Sequence, residues 1–257
     1  LTLINNETLT ISETIGAVST MGILCGVYGI NVAHDLGHRS EKWKQKAAQL
    51  LLLSSMYMHF FIEHNRGHHK RVGTLEDPAT ARKGETIYAF WYRCIRDSFI
   101  SAFKLEKDRL ERNGLPWLSI GNQFIKFIII ELVLVFIIVY VFSLYTLLLF
   151  LVSAAIGILL LESINYVEHY ALFRDKLETG VYERVNETHS WNSDHILGRY
   201  LLFELTRHSH HHENSLTKYQ DLESMDKSLQ LPTGYPGMII LALIPSLFFK
   251  TMNKRLN

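Results

Sequence analysis

Residues Thr206–Glu213 read T-R-H-S-H-H-H-E and hold four of the chain's thirteen histidines, His208, His210, His211 and His212. On a helix, His208, His211 and His212 fall at i, i+3 and i+4 and share one face, while His210 points elsewhere. Three imidazoles on one face are part of a metal site. Other stretches supply more donors: H-D-L-G-H carries His34 and His38, E-H-N-R-G-H-H carries His64, His68 and His69, and N-Y-V-E-H-Y carries His169. These nine candidate ligands suffice for two ions. A solvated histidine-rich loop would explain one cluster, but not three and a singleton, each joined to an apolar segment.

Imidazoles are neutral donors, so bound divalent ions need negative charge nearby, and metal-bound histidines usually pass their other N–H to such groups. Asp35, Glu63, Glu162, Glu168 and Asp194, with Asn165, flank the clusters as candidate supporting groups; Glu204 and Glu213 lie close in sequence. Ligand type does not choose the metal, because imidazole suits iron, zinc, copper and nickel alike. His59, His189 and His195 read as packing or supporting histidines. Cys25 and Cys94 form neither a disulfide framework nor a Cys-x-x-Cys site.

The elements that must position these residues emerge from the charge distribution. The chain has 257 residues, 20% charged and 48% hydrophobic, but Lys and Arg are absent from Leu1 to His38. Between Leu118 and Phe173 only Lys126 occurs. Apolar blocks separated by dense charge predict an all-α fold: a polytopic membrane helical bundle with a cytoplasmic, histidine-rich di-metal cap. No basic block of the kind that binds nucleic acid is present.

Residues 11–33 form the first predicted crossing, with Gly16, Gly22, Gly26 and Gly29 giving a small-residue face for close helix packing. Its far end runs into His34 and His38, and Arg39, Lys42, Lys44 and Lys46 follow at once, marking that surface as cytoplasmic. Residues 47–63 are apolar but cannot cross, because His38 and His64 at their two ends must reach one surface; a helix along the interface is expected. Residues 64–117 suggest amphipathic helices at the membrane surface. Residues 119–142 and 145–168 form a hairpin of two crossings that returns Glu162, Asn165, Glu168 and His169 to the histidine side. Glu131, mid-membrane, must pair or line a cavity. An apolar helix over 196–205 leads into the histidine triad, and 233–249, interrupted by Pro236 and Pro245, reads as a peripheral cap.

H-D-L-G-H, E-H-N-R-G-H-H, N-Y-V-E-H-Y and L-T-R-H-S-H-H-H together resemble the four histidine motifs of the membrane-bound alkane 1-monooxygenase family, within the wider group of membrane fatty-acid desaturases and hydroxylases. H-S-W-N-S-D-H and L-P-T-G-Y-P also resemble its neighbouring sequence, and the likeness runs from about residue 11 to 240. The resemblance implies a non-haem centre of two iron ions held by the nine histidines, dioxygen as co-substrate, and terminal hydroxylation of medium-chain n-alkanes. It also implies a multi-pass protein of the inner membrane whose active site faces the cytoplasm. Electrons would come from a rubredoxin-type donor with its reductase, docking on a basic face that includes Arg66, Lys70, Arg71 and Arg82.

This chain departs from the family pattern at His210 (usually Asp), Thr206 (usually Gln) and Ala171 (usually Gly), none of them an expected ligand. The family has more crossings than the three read here. Residues 1–257 are therefore expected to be one hydroxylase domain whose N-terminal spans, and part of whose substrate channel, precede Leu1. Competing expectations are hydroxylation of alkyl-aromatics, or desaturation or hydroxylation of fatty acyl lipids. A membrane metal transporter fits poorly, because transport sites belong near mid-membrane and these histidines cluster at one surface.

Overall fold

The computed structural model describes residues 9–256; residues 1–8, where the predicted 1–257 domain begins, and residue 257 lie outside the described residues. Among the described residues the regular structure is helical apart from one two-residue strand pairing and an isolated bridge, with loops between the helices. Packing divides it into two units, residues 9–64 with 99–161, and residues 65–98 with 162–256.

In the first unit, helix α1 (Ile11–Gly37) starts at Thr10, whose hydroxyl accepts the Glu13 N–H while the Glu13 carboxylate accepts the Thr10 N–H at 2.8 Å. This reciprocal cap satisfies two of the donors that a helix start leaves open. The helix runs past the predicted end at residue 33 to Gly37, through a wider π-helical stretch at Cys25–Ile30. Its Gly22 faces Ser153 and Ile156, and its Gly26 faces Gly157. The glycine face thus lets two backbones approach.

The predicted single helix over 47–63 is two pieces. Helix α2 (Lys42–Leu53) ends where the Ser54 hydroxyl turns back onto the Leu51 carbonyl at 2.7 Å. The chain then passes through Met56 in the left-handed region (φ 52°) and resumes as α3 (Phe60–Glu63). The broken backbone needs a partner, and the Glu131 carboxylate provides it by accepting the Met58 N–H at 2.9 Å.

A short helix α4 (His69–Arg71) and the long α5 (Ile87–Arg112) follow. The hairpin is formed by α6 (Gln123–Val141) and α7 (Leu144–Glu168). The predicted start at 119 moves to 123 because the Asn122 side chain caps the Ile125 N–H at 2.9 Å. Ser143 closes the turn by accepting the Thr146 N–H. Helices α1, α6 and α7 are long and apolar enough to cross a membrane, and Leu132, Phe136, Tyr140 and Leu148 stand exposed on the hairpin. Ile30, Leu52, Phe61, Phe124 and Phe127 fill this unit's core.

The second unit packs around Phe90, Tyr166, Tyr170, Trp191, Tyr235 and Phe248. Buried Tyr and Trp need partners for their polar ends. Trp191 donates its indole N–H to the Tyr170 carbonyl at 2.9 Å, and the Tyr235 hydroxyl donates to the Trp191 carbonyl at 3.1 Å. Strands β1 (Trp191–Asn192) and β2 (Leu229–Gln230) pair in parallel. The predicted helix 196–205 stops early as α8 (Ile196–Leu201), because Phe203 and Glu204 turn left-handed and Arg199 clamps the Glu204 carboxylate. The triad lies on α9 (His208–Glu213), and Pro245 splits the C-terminal apolar run into α10 (Tyr235–Ala242) and α11 (Pro245–Met252).

Candidate metal centre

A six-residue helix is too short to stand alone, so α9 must be held in place. Asn192 does this: its carboxamide oxygen accepts the Ser209 N–H at 2.9 Å and its NH2 donates to the Ser209 hydroxyl at 2.6 Å. The H-S-W-N stretch therefore anchors the triad helix. With Ser209 fixed, His208, His211 and His212 are buried, whereas His210 turns away and accepts the Glu223 N–H at 2.9 Å.

Four buried histidines of the second unit, His68, His169, His208 and His212, bring their ring nitrogens together. Their Nε2 atoms form a chain of close pairs: His68 to His212 at 3.2 Å, His212 to His208 at 2.9 Å, and His208 to His169 at 3.1 Å. Two nitrogens at right angles about an ion, each about 2.1 Å from it, stand about 3.0 Å apart. The set therefore fits a single transition-metal ion. His68 fixes the chemistry further, because its Nδ1 lies 3.0 Å from Asp77 Oδ2 and must donate to it. A neutral imidazole has only one N–H, so the His68 Nε2 carries a bare lone pair toward the cluster.

Electrostatics hold two of these rings, His169 and His212, in the ligating form. Burial pushes His169 down to about 3, helped by the neighbouring His68 and opposed by Asp77 and a hydrogen bond with the His189 backbone. Burial and the surrounding imidazoles push His212 well below the usual histidine range. Burial alone would raise the Asp77 carboxyl, but His68 and the Thr80 hydroxyl draw it below its ordinary value. Neutral imidazoles beside an ionised carboxylate are what a cation binds.

The other five candidate ligands form two groups, one in each unit. In the first unit, His34, His38 and His64 hold ligand atoms within 4.8 Å of one another, with His38 Nε2 and His64 Nε2 3.0 Å apart. In the second, His69 and His211 lie with ring centroids 5.0 Å apart.

The predicted supporting groups have mixed surroundings. Glu168 lies 3.2 Å from His208 Nε2, beside the four-histidine set, with the Tyr235 hydroxyl close by. Glu162 accepts the Asn165 amide at 3.1 Å. Glu63 is buried and accepts the Ser101 hydroxyl at 3.3 Å. Asp35 pairs with Arg39. Asp194 instead faces the surface, against Arg207 at 3.2 Å and the Ser224 hydroxyl at 2.5 Å. His189 pairs with Glu183, His195 is exposed, and His59 is buried between Tyr57 and Phe99. Among the predicted docking residues, Lys70 and Arg82 are exposed and Arg66 and Arg71 half-buried.

Sequence reasoning missed Asp77 and Tyr235. Asp77 lies nine positions beyond His68, outside any helix, so no periodicity links the two. Tyr235 stood in L-P-T-G-Y-P without an assigned role.

The fatty acid desaturase family model matches residues 14–231. The chain is 42% identical to the alkane 1-monooxygenase of Ectopseudomonas oleovorans over 242 residues, 94% of this chain and 60% of that protein. Alkane 1-monooxygenase 1 of Alcanivorax borkumensis is 40% identical over 98% of this chain and 62% of its own length. The xylene/toluene monooxygenase hydroxylase component of Pseudomonas putida is 29% identical over 98% of this chain and 67% of its own length. The chain thus spans about 60% of the length of the alkane 1-monooxygenases it matches.

Proposed function

The chain belongs to the fatty acid desaturase family, and on that premise we propose that it serves as a membrane-bound non-haem di-iron monooxygenase, converting medium-chain n-alkanes to 1-alkanols. The observation that carries this reading is the buried four-histidine set, in a chain so similar to the alkane 1-monooxygenases. All nine histidines, His34, His38, His64, His68, His69, His169, His208, His211 and His212, serve as iron ligands. The iron pair, when bound, supplies dioxygen activation and insertion of one oxygen atom into the substrate.

The chain's own residues set the conditions for that chemistry. Burial of His68, His169, His208 and His212 keeps bulk water from the set, and Asp77 supplies negative charge beside it. Apolar α7 leads directly to His169, as α1 leads to His34 and His38, so an extended hydrocarbon travels along apolar helix surface toward ligands. Helices α1, α6 and α7 are the crossings of the inner membrane, and the basic residues after His38 favour a cytoplasmic position for the histidines.

No Cys-x-x-Cys pair occurs in these residues, and a rubredoxin-type donor with its reductase, or a rubredoxin-like domain outside these residues, delivers the two electrons. Arg66, Lys70, Arg71 and Arg82 offer an acidic donor a basic docking face. Charge reversal at Lys70 and Arg82 should slow reduction by the donor most at low ionic strength; equal rates there would exclude this face.

A second reading, hydroxylation of an alkyl-aromatic, draws on the similarity to the xylene/toluene enzyme, which is weaker than that to the alkane enzymes. The deciding experiment supplies full-length protein with iron, reduced donor, labelled dioxygen and either an n-alkane or a fatty acyl substrate. The expected product is a 1-alkanol carrying one labelled oxygen atom. Alkene formed from the acyl substrate without label would overturn the proposal in favour of a desaturase.

A further inference from the structure

Residues 72–81 form a loop that, unlike most loops, is almost wholly buried: Val72, Thr74, Asp77, Ala79, Thr80 and Ala81 are all inaccessible. Buried backbone must find partners, and this loop finds them on every side. Arg93, itself paired with Glu85, donates to the Pro78 carbonyl at 2.9 Å and the Thr80 carbonyl at 3.1 Å. The Ala171 N–H donates to the Ala81 carbonyl and the Arg174 N–H to the Gly73 carbonyl. Gly73 takes a left-handed turn (φ 72°) and donates its N–H to the Thr80 hydroxyl at 2.9 Å. Thr80 in turn donates to Asp77 Oδ2 at 2.6 Å, and the Asp77 carboxylate accepts the His68 Nδ1–H.

This is a directed chain of hydrogen bonds, from a braced backbone through a hydroxyl to a carboxylate to one imidazole. We propose that Asp77 is a positioning residue of the metal centre, fixing the His68 ring so that its Nε2 lone pair faces the four-histidine set and contributing negative charge to a bound cation. The inference rests on the reading that this set holds a metal. A carboxylate that only tied the loop together would be served by Thr80 alone. Asp77 also faces a ligand's second nitrogen, and that contact both selects the tautomer and makes Nε2 a stronger donor.

The experiment titrates the full chain, metal-free and in a lipid nanodisc, with cobalt(II), following visible absorption and thermal unfolding. Wild type, D77A, D77N and D77E are compared. Asn keeps an acceptor for the His68 N–H without the charge; Ala removes both. Cobalt affinity should fall roughly ten-fold in D77N and up to about a hundred-fold in D77A, the loss falling on one ion per chain, with partial recovery in D77E. Bound metal stabilises the folded chain by RT ln(1 + c/Kd), where c is the free metal concentration, so the unfolding temperature rises with the ratio of metal concentration to Kd. The cobalt-induced rise should therefore shrink in both D77N and D77A, however their metal-free stabilities compare. If D77A fails to fold, D77N decides. Wild-type cobalt affinity and a wild-type thermal shift in D77N would overturn the role of Asp77 and leave the metal reading standing. Absence of cobalt uptake by the wild type would overturn both.

Discussion

The Glu131 carboxylate accepts the Met58 backbone N–H at 2.9 Å, joining an apolar helix to the break between α2 and α3. A buried N–H without a partner costs about 1–3 kcal/mol, and the carboxylate removes that cost where the helix bonds of residues 54–59 are interrupted. Glu131→Ala should destabilise the protein by about that amount in thermal unfolding. Glu131→Gln, which keeps a carbonyl acceptor, should stay near wild type. Equal losses in both variants would show that something other than the Met58 contact keeps a carboxylate there.

Gly16, Gly22, Gly26 and Gly29 of α1 look alike in sequence, and the structure distinguishes them. A Cβ on Gly22 would stand 2.6 Å from Ile156 Cβ and 2.9 Å from the Ser153 carbonyl, whereas one on Gly16 meets nothing within 4 Å. Overpacking of this kind costs about 1–3 kcal/mol. Gly22→Ala should lower the unfolding temperature measurably, while Gly16→Ala should leave it unchanged or slightly raised. The reverse order would mean that the glycine face does not pack α1 on α7.

These cases also mark what could be read before the structure. Apolar runs around Glu131 and the i, i+3, i+4 spacing of His208, His211 and His212 are local patterns, so the long helices and the triad face were legible. The break at Met56 was not, because L-L-L-L-S-S-M-Y-M lacks Gly and Pro and a left-handed methionine has no sequence signature. Helix 196–205 was overextended for the same reason, at Phe203 and Glu204. Asp77 was invisible because its reach to His68 depends on the turn at Gly73 and on Arg93 bracing the loop. A carboxylate near a histidine in sequence was also an uncertain guide, since Glu168 lies beside His208 while Asp194 faces solvent.

His59 yields a dependence on pH. Burial between Tyr57 and Phe99 lowers it to about 4 from an ordinary value near 6.5. The unfolded chain therefore takes up a proton before the folded one does. Stability from this residue is complete above the unfolded value and is lost as pH falls toward the folded one. Between pH 7.5 and 5 the loss should reach about 2 kcal/mol. Phe fits the same apolar surroundings and does not titrate, so His59→Phe should gain about that much on the wild type over this interval. Parallel unfolding profiles for the two proteins would show that His59 is not buried in its neutral form.

The last prediction separates the histidines of α9, which composition alone treats as equal. His212 Nε2 stands 2.9 Å from His208 Nε2 and 3.2 Å from His68 Nε2, so it links donors from two segments far apart in sequence. Its removal opens the set on both sides. His210 lies two positions away but on the other side of the short helix, with Nδ1 taken by the Glu223 N–H. An aspartate there offers an oxygen to the same N–H and reaches no ligand. His210→Asp should leave iron per chain, measured after dialysis against a chelator, at the wild-type level. His212→Ala should lower retention at least roughly ten-fold, a change of about 1.4 kcal/mol in binding. The comparison is internal to one helix, so a general loss of folding would strike both variants. Iron lost from His210→Asp but kept by His212→Ala would reverse the assignment of faces and with it the four-histidine site.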